Sequence, residues 1–159
     1  MPQQLFFSKA AAQRILSFAT KIEVLRVFKN SIQITYRTKH GRCSTFLSKH
    51  AFYNDFIAFR QEGAKGCFVK PFSPGCYKGD YQVFSAKGEN IYTVRVQGPH
   101  AWCSCPDYEK QDKELGKAKT GCKHVLATLA YLGYGSLADF VSTRRAEIEA
   151  KRQSILAAV

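Results

Sequence analysis

No apolar run in this chain approaches the ~20 residues that a membrane-spanning helix needs. The start, Met1-Pro2-Gln3-Gln4, has no basic n-region, and Leu5-Phe6-Phe7 is too short for the apolar core of an export signal. Both absences point to an intracellular protein, cytoplasmic or nucleoid-associated, or nuclear in a eukaryote. There is no internal repeat and no low-complexity tract. Acidic residues are scarce: 12 Asp and Glu stand against 24 Lys and Arg. No phosphate-binding loop, Ser–His–Asp pattern or convincing carboxylate set is visible, so no enzymatic activity is expected.

What is present suffices to fold. Of 159 residues, 45% are hydrophobic and 13% aromatic, which argues against disorder over most of the length. The formal net charge of +12 suits a polyanionic partner, nucleic acid before membrane, and DNA before RNA. The charge is uneven. Residues 1–62 carry +7, residues 63–100 carry +3 and residues 101–159 only +2.

The periodicities divide the chain. Ser8 can cap a helix over 9–20 with Ala11, Ile15, Phe18 and Ala19 on one face. Strand-like runs follow at 22–28, 32–36 and 43–47, separated by turns at Asn30-Ser31 and His40-Gly41. Ser48 can cap a second helix whose Phe52, Phe56 and Phe59 should face the sheet. Residues 63–79 hold four Gly and two Pro and read as a connection. A hairpin is expected from Tyr81–Ala86 and Ile91–Val96 around a turn at 87–90. Val125, Leu126, Leu129 and Leu132 have helical spacing. Ser136 and Asp139 form a capping-box pattern ahead of a last amphipathic helix with Leu137, Phe140, Val141, Ile148, Ile155 and Leu156. This makes an α+β protein. A basic helix–three strands–helix lobe (1–62) and a connection (63–79) precede a zinc-stapled hairpin–helix lobe (80–135), packed with the first. A terminal helix (136–159) follows.

Six cysteines in a reducing compartment suggest metal ligands before disulfides. Cys103-Ser104-Cys105 and Cys122-Lys123-His124 supply two short ligand pairs, and Cys3His is a common structural zinc set. Residues two apart in a helix turn about 200°. Cys122 is therefore expected at or before a first turn, with His124 just inside, and the positive helix end favours the Cys122 thiolate. Four good ligands leave no open position for catalysis. One structural Zn²⁺ is expected, with Lys123 beside the site. Cys43, Cys67 and Cys76 lack a short ligand pair and read as buried free thiols.

Tyr92-Thr93-Val94-Arg95-Val96, Trp102-Cys103-Ser104-Cys105-Pro106-Asp107-Tyr108 and Cys122-Lys123-His124-Val125-Leu126-Ala127 together resemble a SWIM zinc finger over about residues 80–133. The resemblance implies zinc binding at Cys103, Cys105, Cys122 and His124. It also implies a role in DNA binding or in protein–protein contact, as an adaptor or within a larger complex. The first lobe shares its element order with double-stranded RNA-binding domains, although only Ser48-Lys49-His50 stands where that family has a lysine-rich helix start.

Candidate phosphate contacts are Arg37, Lys39, His40 and Arg42 at a hairpin tip, with Arg95, Lys117, Lys119 and Lys123 around the zinc segment. Phe28-Lys29, Tyr36-Arg37, Tyr77-Lys78 and Tyr92–Arg95 place rings beside cations, a pattern used to stack single strands. Their strand positions favour core packing instead. Asp107, Glu109, Asp112 and Glu114, interleaved with lysines, read as a solvated loop.

Overall fold

The computed structural model describes residues 3–72, 79–85, 90–116 and 119–157. The fold is mixed α and β with two antiparallel sheets. Two compact units meet at Phe59 and Arg60, within a helix that runs across the boundary.

The first unit contains α1 (Gln3–Phe6), α2 (Lys9–Ile15), β1 (Lys21–Val27), β2 (Ser31–Thr38) and β3 (Gly41–Ser48), and ends in α3 (Lys49–Lys65). Ser8 caps α2 by accepting the Ala11 N–H at 3.1 Å. The helix is shorter than its periodicity suggests, because Leu16 leaves helical geometry at φ −100°, ψ 62°. Gln13 holds the exit by donating to the Ala19 carbonyl. Leu16 and Ala19 are therefore buried, but Phe18 is turned out and sits edge-on to Tyr36.

The sheet runs β1–β2–β3. Ile32 pairs with Val27 and Leu47, and Ile34 with Leu25 and Thr45, so one face carries the apolar residues. Ile22, Ile32 and Ile34 are buried there with Phe7, Ala12 and Phe52. Ser48 caps α3 through the Ala51 N–H. The Phe52–Phe56–Phe59 stripe is only partly a core stripe. Phe52 is fully buried and Phe56 packs on Phe6, whereas Phe59 is exposed and lies under the Arg14 guanidinium at 4.0 Å.

The second unit contains β4 (Cys67–Pro71), β5 (Asp80–Ser85), β6 (Ile91–Gln97), β7 (His100–Cys103), α4 (Pro106–Leu115), α5 (Lys123–Tyr131) and α6 (Leu137–Ala157). Its sheet order is β4–β5–β6–β7. Val83 and Val94 from the central strands pack with Tyr108, Val125, Leu129 and Phe140 around the buried cysteines. The hairpin turn expected at 87–90 lies outside the described residues except for Asn90.

Three segments differ from the sequence expectation. Within the Gly/Pro-rich stretch 63–79, Gly63 to Lys65 complete α3 and Cys67–Pro71 pair with β5, because the Cys67-Phe68-Val69 run has strand chemistry between its breakers. The charged stretch after Cys105 is not a loop but α4. Pro106 opens it, and Asp107 and Glu109 occupy a first turn where negative charge is favoured. The last helix is docked through its first half, where Arg144 Nε also donates to the Gly98 carbonyl at 3.4 Å. Phe140 is fully buried, with Leu137 and Val141 packed on the core, while Ile148, Ile155 and Leu156 are exposed. Among the described residues no helix is long and apolar enough to cross a membrane.

Candidate metal centre

Local structure brings the two ligand pairs to one point. Cys103 ends β7, and Cys105 follows it as the N-cap of α4. Ser104 between them is pinned to β6 from both sides: its N–H donates to the Thr93 carbonyl at 3.0 Å, and its Oγ accepts the Thr93 N–H at 3.0 Å. Cys122 is the N-cap of α5 with extended backbone (φ −73°, ψ 167°), and His124 lies within the first turn. That break in backbone conformation lets residues two apart aim at the same centre.

The ligand atoms of Cys103, Cys105, Cys122 and His124 all lie within 4.8 Å of one another, and all four residues are buried. His124 Nδ1 stands 3.8 Å from Cys103 Sγ and 3.9 Å from Cys122 Sγ. A tetrahedral zinc site with Zn–S near 2.3 Å and Zn–N near 2.0 Å has ligand–ligand edges of about 3.5–3.8 Å. The four ligand atoms are grouped closely enough to converge on one ion.

Two further observations fit a cation. His124 Nε2 is buried with no hydrogen-bond partner among the described residues, so the ring is oriented by its Nδ1 face and by Tyr92, 4.5 Å away between centroids. The thiols also cannot all ionise on their own. Hydrogen bonds from Cys103 and Cys122 hold the Cys105 thiol far below its ordinary value. The bond to Cys105 pushes Cys103 up to about 12, and bonds to Cys103 and Cys105 push Cys122 up as well. Three thiolates this close repel one another, and a cation among them removes that penalty. The set fits one structural zinc ion held by all four residues, with no position left for a substrate.

Both helix starts point at the sulfurs. Cys105 Sγ accepts the Tyr108 N–H at 3.3 Å, and Cys122 Sγ accepts the Val125 N–H at 3.5 Å. Each thiolate thus caps a helix and takes the positive end of its dipole, which offsets the formal negative charge of a Cys3His zinc centre.

Several residues support the ligands although the sequence assigned them no such role. Tyr108 is buried and donates its hydroxyl to the Ala101 carbonyl at 2.9 Å. Gln111, also buried, accepts the Gly121 N–H at 3.1 Å and donates to Asp107 at 3.0 Å, tying α4 to the approach of Cys122. Asp107 in turn receives a two-pronged contact from Arg60. Thr128 bonds the His124 carbonyl. The signal that could have revealed them is Cys105-Pro106-Asp107, an N-cap and first turn whose helix places Tyr108 and Gln111 on one face.

The cations singled out in the sequence are dispersed. Arg37 and Arg42 are cross-strand partners, and both bind Glu23. Lys39 and His40 are exposed at the turn. Arg95 is engaged by Asp80 through two bonds of 2.8 Å. Lys119 is exposed, and Lys117 lies outside the described residues. The Lys123 side chain lies against Gly63, where an added Cβ would stand 3.4 Å from its Cδ. Of the remaining cysteines, Cys43 is exposed and Cys67 half-buried, correcting the expectation of buried thiols; Cys76 is outside the described residues.

Comparison with curated proteins gives no match, and neither does comparison with solved structures. Residues 92–133, from β6 through all four ligands to the end of α5, match the family model of the SWIM zinc finger.

Proposed function

We propose that the chain is a zinc-stabilised nucleic-acid-binding protein, directed to DNA more than RNA, acting alone or as a subunit of a nucleic-acid-processing complex. The observation that carries this reading is the charge of the first unit. Residues 1–59 hold nine Lys and Arg against two acidic residues, Glu23 and Asp55. Both acids are bound in ion pairs, to Arg37 and Arg42 and to Arg14. The unit therefore presents its excess positive charge without an open acidic group to oppose a phosphate backbone. The SWIM match is consistent with this role, because DNA binding is one of the two roles that the resemblance implies. Zinc supports it by folding the second unit, and no catalytic step is assigned to the ion.

The test is binding of the zinc-loaded protein to labelled oligonucleotides across a salt series. Submicromolar affinity that falls steeply with salt supports the proposal; no binding beyond the non-specific micromolar range at low salt overturns it.

One observation favours the adaptor reading. A groove of about 670 Å³ in the second unit is lined by Val69, Leu126, Ala130 and Tyr131, with Phe68 69% exposed at its edge. If this groove is the functional surface, zinc chelation abolishes capture of a protein partner and leaves oligonucleotide binding in place.

A further inference from the structure

The β1–β2–β3 sheet buries one face and leaves the other open. Register places Arg26, Gln33 and Phe46 side by side across the open face, with Thr35 and Ser44 in the next row. Thr35 and Ser44 share a hydrogen bond at 3.1 Å, which confirms that both hydroxyls stand on this side. A shallow concavity of about 380 Å³ runs over these rows. At one end two aromatic rings are exposed: Phe46 at 61% and Phe28 at 48%, with centroids 6.1 Å apart. At the other end stand Arg37 and Arg42.

We infer that this open face is a binding platform for single-stranded nucleic acid, with unpaired bases stacking on Phe46 and Phe28 and phosphates held by Arg26 and the Arg37–Arg42 end. Five features favour this occupant. Two large apolar rings on a polar sheet face are not core; they cost solvation unless something flat covers them. Flat aromatic bases do so without sequence preference. Arg26 pairs with no acidic group among the described residues. The acidic group near the platform, Glu23, sits at the β1 bulge and is held by two guanidiniums, leaving that end net positive. From Gln33 to Arg37 the platform extends roughly 13 Å, room for a short unstacked segment rather than a duplex groove. Gln33, Thr35 and Ser44 offer donors and acceptors to base edges between the two ends.

The inference rests on the nucleic-acid reading above, and the experiment separates the two. Full-length zinc-loaded protein is titrated with short oligothymidylate, oligouridylate and a DNA duplex. Phe46→Ala is expected to weaken single-strand binding about tenfold while leaving duplex binding unchanged. Arg26→Gln is expected to flatten the dependence of log K on log salt by about 0.7. Phe46→Trp keeps affinity, and its fluorescence is quenched on binding. The two oligonucleotides distinguish DNA from RNA on the same platform. Circular dichroism checks that each variant is folded, which the exposure of Phe46 favours.

Unchanged single-strand binding in folded Phe46→Ala overturns the platform and leaves the nucleic-acid proposal standing on another surface. Equal losses on single strand and duplex also overturn the stacking role. A Phe46→Ala variant that loses self-association but not oligonucleotide binding assigns the rings to a protein contact, against the inference. If the parent protein binds none of the oligonucleotides, both readings fall together.

Discussion

The Asp80 carboxylate meets the Arg95 guanidinium through two hydrogen bonds of 2.8 Å, joining β5 to β6 at the mouth of their hairpin. Asp80 is 9% exposed and Arg95 half-exposed. The bond to Arg95 holds the Asp80 carboxyl below its ordinary value of 3.8.

A carboxyl lowered on folding stabilises the protein above its unfolded value and loses that contribution as pH falls through the folded one. Asp80→Asn is therefore expected to lower stability by on the order of 1 kcal/mol at neutral pH. The gap from the parent closes below pH 4. Chemical denaturation at a series of pH values checks this; a gap that persists in acid contradicts the ion-pair account.

Gly79 illustrates a backbone requirement in the same hairpin. Its φ is +107°, and an added Cβ would lie 2.5 Å from the Val96 carbonyl oxygen. The two residues are also joined by the Val96 N–H to Gly79 carbonyl bond at 2.7 Å. Gly79→Ala is expected to cost about 1–3 kcal/mol from backbone strain alone, read as a lower thermal midpoint.

Gln111→Leu keeps approximate volume but leaves the half-buried Gly121 N–H without its acceptor. The expected cost is about 1–3 kcal/mol. Because Gly121 precedes Cys122, the variant should also release zinc faster to a chromogenic chelator.

Phe140→Ala and Leu156→Ala separate the docked and undocked parts of α6. Phe140 has no exposed surface, and its truncation is expected to cost about 3–5 kcal/mol. Leu156 is 68% exposed, so its truncation should stay within about 0.5 kcal/mol of the parent. Hydrogen exchange along residues 142–157 should rise in the first variant and not in the second.

Cys122→Ser preserves a capping oxygen but removes a zinc ligand. Structural zinc in finger peptides is worth about 10–16 kcal/mol, comparable to the whole stability of a domain, about 5–15 kcal/mol. The variant should bind no stoichiometric zinc and lose exchange protection over α4 and α5. Elemental analysis and hydrogen exchange read the two effects separately.

The strands and the metal ligands were legible because their signals are local. Ile32, Ile34 and Tyr36 alternate with polar neighbours, and Cys-x-Cys and Cys-x-His are metal spacings in themselves. The end of α2 was not legible: Ile15, Phe18 and Ala19 keep helical spacing, but Leu16 breaks the helix so that Leu16 and Ala19 fill the core. α4 was hidden by its composition, since lysines alternating with carboxylates look solvated until Cys105 is seen as a cap. The pairing of Arg37 and Arg42 with Glu23 depends on a β-bulge between Ile22 and Val24, a register event that no residue pattern announces. Ile148, Ile155 and Leu156 have helical spacing, yet spacing says nothing about whether a partner face exists.

The dual use of Cys105 and Cys122 has a consequence for cooperativity. Each sulfur is at once a ligand and the first hydrogen-bond acceptor of a helix, so losing the ion frees two helix starts together. A half-liganded intermediate would keep neither benefit in full, since a sulfur that leaves the ion gives up its metal bond and the fixed position from which it caps its helix. Zinc occupancy should therefore behave as an all-or-none variable of the second unit, with the ion setting whether α4 and α5 exist rather than how well they are arranged.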